Sequence, residues 1–101
     1  MSFVKVLPLA ELPPGSTAEV TVGENCYALC NAEGKVHALE GSCPCAGGPL
    51  GHGTLMDNLL VCPWHGRRYD INTGRHHFDA TIGVEVYPVK VEDGEIFIDI
   101  P

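Results

Sequence analysis

Apolar and polar residues alternate along much of the chain, and this period of two predicts β-strands. Such runs occupy residues 3–6, 17–22, 26–31 and 35–40, and short turns that contain glycine separate the last three. Consecutive strands joined by short turns usually pair with each other. We therefore expect residues 17–40 to form an antiparallel meander.

The C-terminal part of the chain carries the clearest hairpin signal. Two apolar runs, residues 84–91 and 95–100, flank Glu92-Asp93-Gly94, where the glycine can adopt a positive φ. Pro88 interrupts the first run, and because proline has no N–H to donate, we expect an edge or a bulge there. The returning strand places three apolar side chains on one face, namely Ile96, Ile98 and Ile100.

Two loops rich in glycine and proline occupy the middle of the chain. Residues 41–53 contain five glycines, two prolines and two cysteines, and residues 63–66 form a second loop. Between and after them, residues 54–56, 59–61 and 67–71 have short strand signals. No helical stretch stands out, so we expect an all-β fold. It would be an antiparallel sandwich or barrel with a small subdomain at about residues 41–72.

Composition places the chain among small globular proteins. At 101 residues it is one domain, residues 1–101, and too short for two cores. No apolar run approaches the ~20 residues that span a bilayer, and the N-terminus has no secretory signal, so we expect the cytoplasm. The net charge of −7 disfavours nucleic acid and anionic membranes and favours a partner with a basic docking face.

The two loops carry a candidate metal site. Cys43 and Cys45 form a C-x-C pair, and after sixteen residues Cys62 and His65 form C-x-x-H. Thiolates and imidazoles are the ligands that soft and borderline metals prefer. In a cytoplasmic protein, closely spaced Cys and His more often bind metal than form disulfides. We therefore predict that the two loop tips meet around a metal.

These loops also resemble a known motif. The stretch Cys43-Pro44-Cys45-Ala46-Gly47-Gly48-Pro49-Leu50, followed by Cys62-Pro63-Trp64-His65-Gly66, is similar to the Rieske [2Fe–2S] motif, C-x-H with a comparable spacer before C-x-x-H. The similarity extends over the whole chain. Features shared with small bacterial Rieske ferredoxins are Leu39, Tyr69-Asp70, Thr73-Gly74, Tyr87-Pro88-Val89 and Asp93-Gly94.

The resemblance implies a ligand set with one departure from the family. Cys43 and Cys62 would hold one iron of a [2Fe–2S] cluster and His65 the other. Cys45 stands where the family has its first histidine, so the set becomes three cysteines and one histidine. A thiolate in place of a neutral imidazole adds negative charge, and the reduction potential should fall. Arg67 stands where respiratory-chain members place a serine hydroxyl near a cluster sulfur.

The resemblance also implies a function. Small Rieske ferredoxins are not enzymes; they carry single electrons from a flavin reductase to a terminal oxygenase, and we expect a monomer. Two alternatives stay open: a small subunit of a nitrite reductase or a redox sensor, and a structural zinc module, since three Cys and one His are also a zinc set. Visible colour would separate an iron–sulfur cluster from zinc.

Several other side chains could serve a site but are expected to be structural. Cys26 and Cys30 share a strand face and are predicted to be small buried apolar residues. Trp64 could shield the cluster, form a docking patch or pack over the loops, and Arg67 and Arg68 are expected at solvated positions. The remaining histidines are expected at the surface: His37, His52, His76 and His77.

Overall fold

A computed structural model describes residues 2–41, 49–64, 66–76 and 82–100 of the chain. Within these ranges, ten strands form three antiparallel sheets, which confirms the all-β prediction. The strands are β1 (Ser2–Pro8), β2 (Thr17–Val22), β3 (Asn25–Ala32), β4 (Lys35–Glu40), β5 (Thr54–Met56), β6 (Leu59–Val61), β7 (Arg68–Asp70), β8 (Val86–Tyr87), β9 (Val89–Glu92) and β10 (Glu95–Ile100). Two 3-10 turns cover Leu9–Glu11 and Leu50–His52.

The meander sheet has the strand order β2-β3-β4-β8. Its first three strands are the predicted meander, with Thr17 opposite Cys30 and Ala32 opposite Lys35. The turn between β3 and β4 has positive φ angles at both Glu33 (53°) and Gly34 (96°). Such turns match the twist of the strands they join, which is why a glycine-containing turn closes this hairpin.

The terminal sheet has the strand order β1-β10-β9 and joins the two ends of the chain. Pro88 lies where the chain passes from the meander sheet to the terminal sheet, because β8 pairs with β4 and β9 pairs with β10. The Pro88 carbonyl accepts a hydrogen bond from the Asp99 backbone N–H at 2.9 Å. The predicted interruption at Pro88 is thus a corner between two sheets.

The small sheet has the strand order β5-β6-β7 and lies between the two loops in sequence. It packs on the meander sheet, so β3 is buried on both faces. Tyr27 and Leu29 face one apolar cluster with Ile96 and Ile98 of the terminal sheet. The alternate residues of β3 belong to a second cluster, with residues of the small sheet and of the chain around it: Ala28, Cys30, Leu39, Leu50, Leu60, Cys62, Tyr69, Ile71 and Val84.

Among the residues described, no helix has the length and apolar character needed to cross a membrane.

Candidate metal centre

The second loop is closed at its base by backbone hydrogen bonds. Cys62 directly follows β6, and its N–H donates to the carbonyl of Arg67 at 2.7 Å. The Cys62 carbonyl in turn accepts from the N–H of Gly66 at 3.0 Å, and Gly66 has a φ of 69° that suits glycine. The Cys62 side chain is only 1% exposed. These contacts hold Cys62 at a fixed position on the rim of the second apolar cluster.

The first loop is closed in the same way. The carbonyl of Gly41 accepts a hydrogen bond from the N–H of Leu50 at 3.0 Å, so the two ends of the loop meet. Gly41 also lies against Cys26, where a Cβ would come within 2.5 Å of the Cys26 carbonyl oxygen. The chain then makes the 3-10 turn at Leu50–His52, which buries Leu50 completely. The base of this loop therefore needs glycine at position 41.

The bases of the two loops lie side by side. Gly53 follows the first loop and packs so closely on the carbonyl of Val61 that a Cβ would clash with it. Val61 is the residue before Cys62, and Leu50 and Cys62 belong to the same buried cluster. Two loops with adjacent bases can present their tips to one ligand. This is the arrangement that the spacing of the ligand pairs predicts.

Of the four predicted ligands, the structure describes Cys62. The other three, Cys43, Cys45 and His65, lie outside the described residues. Among the residues that are described, no three metal-ligating side chains come together. The ligand set therefore stays a prediction, supported by the buried position of Cys62.

An unpartnered donor beside Cys62 fits a bound acceptor. The Nε atom of Arg67 is buried, and none of the residues that the structure describes offers it a hydrogen-bond acceptor. Buried N–H groups nearly always have an acceptor, so this donor calls for a group beyond those described residues. A [2Fe–2S] cluster carries sulfur acceptors and negative charge. The buried thiol of Cys62 and the free donor of Arg67 are thus compatible with such a cluster.

The side chain of Asp70 stabilises a sharp turn after β7. The Oδ1 atom of Asp70 accepts from the backbone N–H groups of Asn72 at 2.7 Å and Thr73 at 3.3 Å. Gly74 follows with a φ of 76° and donates its N–H to the Asp70 carbonyl at 2.7 Å. The sequence Asn72-Thr73-Gly74 predicts that the strand-like run of residues 67–71 ends here, because these residue types favour turns, and the structure confirms it.

The two remaining cysteines behave differently from each other. Cys30 is fully buried, as predicted, and burial raises the pKa of its thiol to about 12. Cys26 is exposed, so its predicted burial is wrong. Both side chains are on the face of β3 that the small sheet covers, but Cys26 lies near the start of the strand, where that cover ends. Its sulfur lies 3.7 Å from the Thr21 hydroxyl.

The histidines outside the proposed ligand set have mixed outcomes. His52 is exposed, as predicted, with its Nε2 3.3 Å from a carboxylate oxygen of Glu19. The surface prediction for His76 is wrong, because its half-buried ring packs edge-on against Tyr69 with a centroid distance of 5.5 Å. His37 is half-buried, and desolvation lowers its pKa. The last one, His77, lies outside the described residues.

The side chains near the second loop differ in their exposure. Trp64 is 58% exposed, which favours the predicted docking patch over close packing. Arg68 is exposed, as predicted. Arg67 is half-buried with its buried Nε, so the solvated position predicted for it is wrong.

Comparison with known proteins places this geometry in a family. A model of the Rieske [2Fe–2S] domain matches residues 2–88. The chain is 31% identical over 99 residues to the ferredoxin component of the naphthalene 1,2-dioxygenase system of Pseudomonas aeruginosa, covering 97% of this chain and 95% of that one. It is 32% identical over 103 residues to the 3-phenylpropionate/cinnamic acid dioxygenase ferredoxin subunit of Escherichia coli K12, covering 100% and 96%.

Solved structures agree with the sequence relatives. The ferredoxin of carbazole 1,9a-dioxygenase from Nocardioides aromaticivorans IC177 superposes with a TM-score of 0.90 at 25% identity, over the full length of both chains. A putative nitrite reductase small subunit from Mycobacterium tuberculosis, at 22% identity and a TM-score of 0.89, shares the fold alone. The cofactor is accordingly a [2Fe–2S] cluster and the role is electron transfer, without catalysis by this chain. The loops, the fold and the relatives together establish that the chain belongs to the Rieske [2Fe–2S] domain family.

Proposed function

We propose that this chain carries single electrons from a flavin reductase to the terminal oxygenase of a system that oxidises aromatic compounds. The full-length similarity to ferredoxin components of two aromatic dioxygenase systems carries this proposal. A further relative, 28% identical with a TM-score of 0.85, was solved as a complex of oxygenase and ferredoxin in carbazole 1,9a-dioxygenase. We place the protein in the cytoplasm as a monomer.

The proposed ligands are Cys43, Cys45, Cys62 and His65. The adjacent loop bases and the buried thiol of Cys62 support this set. The loops and the small sheet would act as a cluster-binding subdomain at about residues 41–72 of a single domain. When bound, the cluster supplies a one-electron couple at the surface of a protein that has no substrate chemistry of its own.

The residues of the chain have three tasks in this proposal. The thiolates and the His65 imidazole bind the cofactor, and the backbone hydrogen bonds at the base of the second loop keep Cys62 in place for it. The core residues around Cys62 exclude water from one side of the site. Trp64 is an aromatic side chain on the loop surface and suits a docking contact with a redox partner.

The test of the carrier role is electron transfer between purified partners. The chain, purified anaerobically, is mixed with a flavin reductase and NADH, and its reduction is followed by visible absorbance. Addition of an aromatic-ring oxygenase together with its aromatic substrate and O2 should reoxidise the reduced chain, because its electrons pass to the oxygenase, which uses them with O2 and protons to form hydroxylated product. A colourless protein that contains zinc and no iron would contradict the proposed role as a free electron carrier. So would a chain that is purified from cells only in complex with a large reductase.

The ligand set is tested by paired cysteine substitutions. Cys62→Ser should lose most of the bound iron and sulfide and the visible absorbance, because a ligand is removed. Cys26→Ser is the matched control, since Cys26 is exposed and is not a proposed ligand, and it should retain the full cofactor content. Equal iron content in both variants would exclude Cys62 as a ligand.

A further inference from the structure

Arg67 is placed at the base of the second loop and carries a buried side-chain donor. Its backbone carbonyl accepts the N–H of Cys62, which places it at the base of the second loop. Its side-chain Nε is buried and has no acceptor among the described residues. No carboxylate within the described ranges lies within ion-pair distance of its guanidinium group. The fold thus holds a buried N–H donor of a half-buried arginine beside a proposed ligand, and no described residue satisfies that donor.

The direction of the side chain follows from the strand that Arg67 precedes. Successive side chains of a strand point to opposite faces, so residues 67 and 69 share a face and Arg68 takes the other. Tyr69 is fully buried in the cluster that contains Cys62, whereas Arg68 is exposed. Arg67 therefore points toward the Cys62 side of the sheet. The two adjacent arginines carry the same charge in different environments.

The proposed ligand set supplies a reason for a cation at this place. Three thiolates and one imidazole carry one more negative charge than two thiolates and two imidazoles. Reduction adds a further electron to this charge. A guanidinium group stays protonated at all relevant pH values and presents rigid N–H donors, so it can neutralise the charge without taking part in proton exchange.

We propose that Arg67 donates its Nε–H to a sulfur of the bound [2Fe–2S] cluster and stabilises the reduced form against the charge of the third thiolate. This inference rests on the proposed function, since it needs the cluster at Cys62. Arg67 is a positioning and potential-setting residue and does not ligate iron. Hydrogen bonds to cluster sulfurs and nearby charge are established determinants of reduction potential.

The first test compares Arg67→Met with Arg68→Met by voltammetry. Each variant removes one positive charge, but only Arg67 offers a buried donor. At a fixed solution potential, the ratio of reduced to oxidised protein should fall about tenfold in Arg67→Met, equivalent to 59 mV for one electron. The fall in Arg68→Met should be much smaller, because solvent screens an exposed charge. Equal shifts in the two variants would overturn the proposal.

The second test detects the proton on Nε of Arg67. Pulsed electron paramagnetic resonance of the reduced protein in H2O and D2O should reveal an exchangeable proton coupled to the cluster. The coupling should disappear in Arg67→Met and in Arg67→Lys, which keeps the charge but has no Nε donor at that position. It should persist in Arg68→Met. A coupling that survives in Arg67→Lys would contradict the assignment to Nε.

Iron and sulfide analysis distinguishes a failure of the proposed function from a failure of the role proposed for Arg67. If the unsubstituted chain binds no cluster, the proposed function fails. If the chain and all three variants bind it with unchanged potential and proton coupling, the function stands and the role of Arg67 fails. Should Arg67→Met not fold, Arg67→Lys decides the question, because it keeps the charge and most of the apolar stem.

Discussion

At the residue scale, position 45 distinguishes this chain from the family pattern. The family resemblance places a histidine ligand where this chain has Cys45. A cysteine sulfur is closer to the backbone than a ring nitrogen, but the longer metal–sulfur bond, ~2.3 Å against ~2.0–2.1 Å for zinc, recovers part of the difference. The main consequence of the replacement is therefore electrostatic.

Cys45→His should raise the reduction potential. One unit charge at ~4 Å in an effective dielectric of ~20 is worth ~4 kcal/mol. At ~2.3 kcal/mol per 100 mV, that corresponds to about 0.2 V. Voltammetry and electron paramagnetic resonance of the reduced protein measure the change, with Cys26→His as a control at an exposed cysteine. An unchanged potential and spectrum in Cys45→His would mean that position 45 is not a ligand.

His37 predicts a pH dependence of stability. Desolvation and the nearby Lys35 lower its pKa below 6.5, and Asp70 opposes this in part. As the pH falls, His37 is therefore protonated in the unfolded chain before it is protonated in the folded chain. The free energy of unfolding decreases as the pH falls through 6.5. Urea unfolding from about pH 7.5 to 5 should show this loss, and His37→Gln should flatten it.

Lys35→Met provides the control for that prediction. Removal of the neighbouring charge eliminates one cause of the lowered pKa, so the loss of stability at low pH should become smaller while the imidazole remains. If the pH profile were the same in the original chain, in His37→Gln and in Lys35→Met, titration of His37 would not contribute to stability.

At the scale of elements, turn chemistry explains most of the strand boundaries. The hairpins after β3 and β9 are closed by Glu33-Gly34 and Asp93-Gly94, where all four residues have positive φ. Such turns depend on local sequence and were predicted from it. The burial of both faces of β3 was not predicted from local sequence. An alternating pattern predicts one buried face, whereas β3 lies between two other sheets.

Gly74→Ala should destabilise the fold more than Gly94→Ala. Both glycines have a φ of 76°, so both variants carry the strain of a left-handed alanine, ~1–2 kcal/mol. A Cβ at position 74 would also clash with the carbonyl of Val84, whereas position 94 is open. We expect an additional ~1–3 kcal/mol for Gly74→Ala from urea unfolding curves. Equal decreases in the free energy of unfolding of the two variants would show that the backbone around Val84 shifts to accommodate the Cβ without destabilising the fold.

At the scale of the whole molecule, the charges are unevenly distributed. The chain has 13 acidic and 6 basic residues, and the basic set includes three arginines, all within residues 67–75. They follow the second loop, and two of them, Arg68 at the start of β7 and Arg75, are exposed.

Electron transfer to a partner with a basic docking face should weaken with salt. The net charge of −7 attracts such a partner over long distances, and the Debye length falls from ~10 Å at 0.1 M to ~3 Å at 1 M ionic strength. Stopped-flow mixing with the oxygenase should give a second-order rate constant that decreases over this range. A rate constant that increases with salt would instead show that the partner's docking face is acidic and is repelled by the net negative charge of this chain.

Local sequence accounted for the strands, the hairpin turns, the two loops and the type of chemistry. These features depend on near neighbours, since alternation, turn residues and ligand spacing act over a few positions. Tertiary packing decided which faces are covered. Cys26 and Cys30 share one strand face, yet the small sheet covers only Cys30, and no local pattern carries that information.

Arg67 illustrates the same limit at the site. From the sequence, Arg67 and Arg68 are equivalent arginines at the start of a strand. In the structure, Arg67 pairs with Cys62 through the backbone and is half-buried with a buried Nε, whereas Arg68 is exposed. Long-range contacts set desolvation, and desolvation determines how strongly a charge or a donor acts on its surroundings.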